Sequence, residues 1–317
     1  MIPTLLVISI IAFVVIQLPP GDYLSMYVMG LQQQGTNVSD EQLAALEKRY
    51  GLNQPLYERY FKWISGIITR WDFGMSFYYN LPVSKLIAQR LPYTILISGI
   101  SLIFTWLVAL PVGVYSAVKQ YSIFDYLFTG VAFLGRSIPN FLLALVLMLV
   151  FYSLFGWSIG GLFSPEHAYS NWNLAKILDL AKHLVVPMIV VGTAGTAGMV
   201  RILRATTLDE LGKDYVKTAR SKGLKENLVI VKHVVPIAMN PLFSTAGWIL
   251  PRLMSGAMIT SIVLSLPTTG PMLFTALRNQ DMYLAGSFLL IVSSLTVLGT
   301  LISDIILAFS DPRIRYE

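Results

Sequence analysis

The chain has 317 residues, 55% of them hydrophobic and only 13% charged, with a mean hydropathy of +0.65 and a formal net charge of +6. A soluble domain carries about 25% charged residues, so composition excludes an ordinary soluble globule and points to an integral membrane protein. Cysteine is absent, which excludes a disulfide framework and thiolate chemistry; the basic residues gather in a few loops between apolar runs instead of on one soluble face, which excludes a nucleic-acid binder.

The apolar runs are continuous and do not alternate, so the prediction is membrane helices and not a barrel. Six spans account for them, at about 2–18, 92–118, 124–156, 184–205, 237–263 and 284–309. The first opens with no basic stretch and is followed by no small-residue cleavage site. It reads as a retained helix ended by Pro19-Pro20-Gly21 and not as a secretory signal. Residues 19–91 then read as a small helical module outside the bilayer. In it Ser39 and Gln42 form a capping box that opens a helix stopping near Gly51. Pro55 suits the first turn of a second helix to about Thr69, and residues 81–92 read as a short amphipathic helix at the membrane surface.

The third span is long and interrupted at Pro139. The 157–183 loop after it carries Trp157, Phe163, His167, Tyr169 and Trp172. Such rings form interfacial belts and also stack on sugars. In the fourth span, "GTAGTAG" at 192–198 supplies small residues that allow close helix approach or line a pore. Pro111, Pro139, Pro187 and Pro251 each remove a backbone hydrogen bond and mark candidate hinges.

Between the fourth and fifth spans lies a polar insert, 206–236. Thr207 is the predicted N-cap of a helix with Asp209 and Glu210 in its first turn and Gly223 at its end. A second helix over "LKENLVIVKHVV" leads through Pro236 into the fifth span. The product is a helix, a tight glycine turn and a helix: a knob for a soluble partner, or a loop that merely fixes topology. Arg201, Arg204, Lys213, Lys217, Arg220, Lys222, Lys225 and Lys232 crowd this side, joined by Lys119, Arg313 and Arg315. The denser basic side is expected in the cytoplasm, which places both termini inside and 19–91 and 157–183 outside.

Ionisable residues at membrane depth are functional candidates by default. Arg136 precedes the Pro139 break and Arg252 follows Pro251 in the fifth span; each either lines a pathway or forms a buried pair. Asp304, toward the inner end of the sixth span, reads as a cap or pair at the cytoplasmic edge. Buried acidic and histidine residues are too few for an ion-coupled secondary transporter, the remote alternative. An H-E-x-x-H pair and a nucleophile–base set are both absent, so no catalytic residue, metal site or cofactor is expected.

The insert resembles the cytoplasmic "EAA" loop of permease subunits of binding-protein-dependent ABC importers. That pattern runs Glu-Ala-Ala, three residues, Gly, nine residues, Ile, one residue, Leu-Pro. Ala219, Gly223 and Pro236 hold their places, while Lys217, Thr218, His233 and Val235 stand for the glutamate, first alanine, isoleucine and leucine. "LPPGD", "GLNQPLYERYFKWISG", "WDFGMS", "RLPYT", "SIPNF", "DYVKTARSKGL" and "DPRIR" narrow the likeness to the dipeptide/oligopeptide/nickel branch.

The resemblance implies the type I importer permease fold: an all-α integral membrane protein of six transmembrane helices, with a helical extracytoplasmic insert and a cytoplasmic helix-turn-helix coupling loop. The expected parts are a first helix at 1–18, the external segment 19–91, a five-helix core over 92–311 and a tail at 312–317. It also implies a bacterial or archaeal plasma membrane location and a set of partners. These are two ATP-binding subunits, a second related permease or a copy of this chain, an extracytoplasmic solute-binding protein and membrane lipid, with no nucleic acid. The coupling residues carried over are Asp214, Tyr215, Lys217, Thr218, Ala219, Gly223, Leu224 and Pro236. A G-x-x-x-x-G-K-[ST] phosphate loop is absent, so ATP hydrolysis is expected in the partners.

Peptide is the substrate class first implied, with oligosaccharide or nickel as alternatives. Ser261 takes the place where the branch usually has an acidic residue after the fifth span, and the turn reads "LPTTGP". With Arg136 and Arg252, Ser261 completes the candidate pathway residues. Relatives carry a short basic stub before the first span, so such a stub is expected ahead of Met1.

Overall fold

A computed structural model describes residues 2–18, 53–244 and 258–310, with Leu24, Val28 and Ser39 besides. The capping-box helix expected from Ser39 to Gly51 and the middle of the fifth span lie outside the described residues. The described residues are mostly helical, with a lone bridge between Met75 and Pro82.

Helix α1 is Ile2–Gln17, α2 Leu56–Arg70, α3 Val83–Val118, α4 Ile123–Ser137 and α5 Asn140–Phe155. After a turn of helix, α6 (Pro165–Ala168), comes α7, Leu174–Leu211. Then follow α8 (Asp214–Ser221), α9 (Glu226–Val229), a π-helical stretch Ile230–Val234, α10 (Val235–Ala238) and α11 (Asn240–Ser244). The chain closes with α12 (Met258–Val263), α13 (Thr269–Arg278) and α14 (Met282–Ser310).

Two described segments are long and apolar enough to cross a bilayer, Val83–Val118 and Met282–Ile305, and shorter apolar helices cover Pro3–Gln17, Ile123–Ala132 and Asn140–Phe155. Their outward faces stay apolar: α1 exposes Leu6, Val7, Ile10, Ile11 and Val14, and α5 exposes Leu142, Leu145, Val146 and Leu149. Helices that are apolar all round need an apolar surrounding. At 1.5 Å per residue, the 36 residues of α3 reach about 54 Å, well past a hydrocarbon core of about 30 Å.

That length corrects one expectation. Residues 83–92 are the first turns of α3 and not a separate surface helix. Pro92 removes one donor without breaking the helix, as prolines do in membrane helices whose neighbours compensate. The break at Pro139 falls where predicted. Ile138 is extended (φ −85°, ψ 124°) and ends α4, because the residue before a proline is pushed out of the helical region. Helix α2 starts one residue later than expected, with Pro55 just outside it, and ends at Trp71 in a left-handed conformation.

The chain divides into two compact units. One comprises residues 1–93 and 268–297. Its core is aromatic: Phe13 lies 5.8 Å from Trp63 and 5.4 Å from Tyr60, and the Trp63 Nε1–H donates to Ser287 Oγ at 3.3 Å. The "WDFGMS" stretch forms a turn that wraps the buried Asp281 carboxylate, which accepts from the Ser76 hydroxyl, Tyr78 N (3.1 Å) and Leu284 N (3.3 Å). Gly74, at φ +85°, is required there twice over, since a Cβ would also meet the Tyr283 ring at 3.1 Å.

The second unit comprises residues 94–267 and 298–317. Helix α7 runs through it and packs against α4 and α5. The small-residue stripe performs close approach: Gly192 lies against Phe104 and Gly195 against Thr105, and the Thr105 hydroxyl donates to Gly192 O at 3.0 Å. The helix expected from 184 begins ten residues earlier, at Leu174, and the aromatic rings of the 157–173 segment hold lysines on its first turns. Lys176 Nζ sits 4.9 Å from the Phe163 ring centroid and 5.3 Å from that of Trp172, and Lys182 Nζ sits 5.2 Å from that of Trp157. Tyr169 is fully exposed.

Candidate functional site: a helical hairpin between apolar segments

The insert folds as a hairpin. Helix α8 rises from Lys213, turns at Gly223 and returns through α9, the π stretch and α10. Gly223 has φ +76°, which a side chain would strain, and open space lies beside it. Val216, Ala219, Val229 and Val234 form a buried core between the two arms, with Leu211 packed against it. The motif alanine is therefore a packing residue: Ala219 faces inward while Lys217 and Thr218 face out.

Polar contacts lock the same geometry. The Arg220 guanidinium donates to Glu226 through Nε (2.9 Å) and Nη2 (2.6 Å), clasping the arms on either side of Gly223. That guanidinium holds the Glu226 carboxyl below the usual range. The Tyr215 hydroxyl donates to Glu210 at 2.6 Å and lies 3.4 Å from His233 O; burial, then this carboxylate, pushes the phenol well up. Lys217 pairs with Asp214 at 2.9 Å on the exposed face, and the Thr218 hydroxyl donates to Asp214 O at 2.9 Å. At the base, the Thr206 hydroxyl donates to Ala238 O at 2.9 Å, tying α7 to α10.

Pro236 has no N–H for Lys232 O, and the helix just before it widens to π pitch. Thr207 is not an N-cap: it is buried inside α7, which continues to Leu211, and the break falls at Gly212. Asp209 and Glu210 thus lie in the last turn of α7, where the dipole disfavours acids; Glu210 is compensated by the Tyr215 hydroxyl.

Asp214, Tyr215, Lys217, Thr218, Ala219, Gly223 and Leu224 are brought into one knob, with Pro236 on its returning arm. Sequence shows opposite charges flanking a turn glycine but not the Arg220–Glu226 clasp they form. Arg136 lies in the last turn of α4 and Arg252 lies outside the described residues. Ser261 is buried on α12, and its carbonyl accepts from Leu266 N at 2.8 Å. Asp304 is exposed on α14.

The fold is that of an ABC importer permease. It matches a chain of the MetNI methionine ABC transporter, solved in inward-facing conformations, with a TM-score of 0.55 and 18% identity over 72% of this chain and 97% of that one. Residues 109–316 match the family described as "Binding-protein-dependent transport system inner membrane component", residues 1–98 match its N-terminal counterpart, and the chain belongs to this family. Among curated relatives, it is 35% identical to the oligopeptide transport system permease protein AppB of Bacillus subtilis, over 99% of this chain and 96% of that protein. It is 31% identical to the dipeptide transport system permease protein DppB of Escherichia coli K12, over 100% and 96%.

Proposed function

We propose that this chain forms the translocation pathway of an ATP-driven importer of peptides, and that its hairpin docks on a separate ATP-hydrolysing subunit. The observation that carries this reading is the face the hairpin leaves open. Leu224 just before α9, Leu228 on α9 and Val231 on the π stretch are all exposed, Val231 by 67%. Lys213, Lys217, Lys222 and Lys225 are exposed on the same hairpin. An exposed apolar set on a basic hairpin suits an apolar groove on an acidic soluble partner.

In this reading the chain crosses the plasma membrane six times, with both termini and the hairpin in the cytoplasm and residues 19–91 outside. Two ATP-binding subunits, a second related permease or a copy of this one, and an external solute-binding protein complete the assembly. Closure of the ATP-binding subunits moves the hairpins and rocks the bundle between inward- and outward-facing states. Arg136, Arg252 and Ser261 line the pathway. The names of the oligopeptide and dipeptide relatives favour peptide cargo.

The test is Val231→Asp in the assembled transporter. An exposed substitution changes stability by under about 0.5 kcal/mol, so the melting temperature holds while the ATP-hydrolysing subunit no longer co-purifies and its stimulated hydrolysis is lost. Attachment that survives Val231→Asp together with Leu228→Asp overturns the docking face. Uptake of labelled peptides against oligosaccharides, with the binding protein supplied, tests the cargo.

A further inference from the structure

We propose that a cleft between α4 and α7 is a binding site for an anionic phospholipid, with Arg201 as the residue that holds its phosphate. This inference rests on the preceding section only for membrane insertion and orientation; it is independent of peptide transport and of hairpin docking.

The cleft has a volume of about 360 Å³. Its polar lining is Tyr121, Asp125, Tyr126, Thr129, Arg201 and Arg204. Asp125 is buried and already satisfied. It accepts from Arg204 through Nε (3.1 Å) and Nη2 (3.0 Å), and from Tyr121 N at 3.0 Å. The Ser122 hydroxyl caps the same turn by accepting from Asp125 N at 3.2 Å. One acid therefore cancels one arginine. Arg201 is exposed and forms no ion pair among the described residues. The cleft carries a surplus positive charge and calls for an anion.

The rest of the cleft excludes a fully hydrated ion as the preferred occupant. Ala132, Ala197, Val200 and Ala205 line it with small apolar groups. The adjoining face of α4 is apolar and open, with Ile123 84% exposed and Phe124, Leu127 and Val131 exposed beside it. A cation set among small apolar groups, in a trough beside the apolar exposed face of α4, matches a phosphodiester headgroup with acyl chains. Basic pockets between membrane helices on the cytoplasmic side take such headgroups. Tyr121 and Tyr126 supply the amphipathic rings that sit at headgroup level.

The experiment uses the assembled transporter in mild detergent, offered phosphatidylglycerol or phosphatidylcholine at equal concentration, with retained lipid counted by native mass spectrometry. The expected result is about tenfold preferential retention of phosphatidylglycerol. Arg201→Gln abolishes that preference, and Arg201→Lys keeps part of it through a point charge. Ala197→Leu, which fills the trough and spares the charge, lowers retention of the acidic lipid and decides the matter if Arg201→Gln fails to assemble. Equal retention of both lipids, or an unchanged preference in Arg201→Gln or Ala197→Leu, overturns the proposal. So does displacement by millimolar inorganic phosphate, which makes the ligand a free anion. Crosslinking of Arg201→Cys to the second permease subunit also overturns it, because the cleft is then a protein interface.

Discussion

Two glycine turns in this chain solve the same problem in opposite ways. The turn at Gly223 is clasped by an exposed ion pair, Arg220 with Glu226, whose side chains are 41% and 49% exposed. The turn at Gly74 closes on Asp281, which is wholly buried and held by a hydroxyl and backbone N–H donors. An exposed pair contributes little because water and salt compete with it. A buried carboxylate must be satisfied, and losing its partners is costly. The hairpin therefore owes its shape to its buried valine and alanine core more than to its ion pair, whereas the Gly74 turn depends on the buried Asp281 carboxylate.

The largest effect is expected at Asp281. Asp281→Ala leaves the Ser76 hydroxyl and the N–H groups of Tyr78 and Leu284 without their acceptor. The expected loss is about 3 kcal/mol, read as a lowered melting temperature of the purified protein. A loss under about 1 kcal/mol would mean that the turn is held by other contacts. Next, Gly74→Ala adds a Cβ that meets Tyr283 at a strained φ and is expected to cost about 2 kcal/mol. Gly223→Ala meets only the strain, about 1 kcal/mol, but is expected to reduce stimulated ATP hydrolysis by misaligning the arms. Equal costs at the two glycines would remove the distinction. The smallest effect is Arg220→Ala, within about 0.5 kcal/mol.

Acid sharpens the contrast by sign. Arg220 lowers the Glu226 carboxyl from its ordinary 4.5. The stability it contributes is present above that value and lost as pH falls through the lowered one. Burial raises Asp281 above its ordinary 3.8, against the pull of its hydrogen bonds. Its contribution is present below 3.8 and lost as pH rises through the raised value. Melting temperature against pH is expected to lose only a small part of its acid-side fall in Glu226→Gln, because the pair is exposed, and to lose the opposite slope in Asp281→Asn. Identical slopes in both variants would refute this assignment.

Much of this was legible in the sequence, for physical reasons. Continuous apolar runs, the Pro139 break and the Gly223 turn are local signals, and the chain obeys them. The extension of α7 through Thr207 was not legible, because a good N-cap residue is overruled when its side chain packs inside a longer helix. The helix expected at 81–92 failed likewise, since Pro92 reads as a boundary although the apolar run carries the helix across it. Asp281 was hidden for another reason: its partners lie in a motif more than two hundred positions away. Sequence shows such a motif without showing what it holds.

Where Gly192 presses on Phe104, two distant codons share one steric decision. Any Cβ at 192 has to displace the ring. Homologues that acquire alanine at 192 are expected to have traded the aromatic at 104 for something slimmer, and the double replacement Gly192→Ala with Phe104→Leu should restore what Gly192→Ala alone removes. Inheritance at these sites is thus a bargain struck jointly: a chimera that takes alanine at 192 from one parent and the phenylalanine at 104 from the other inherits a collision, and the reverse chimera inherits a gap.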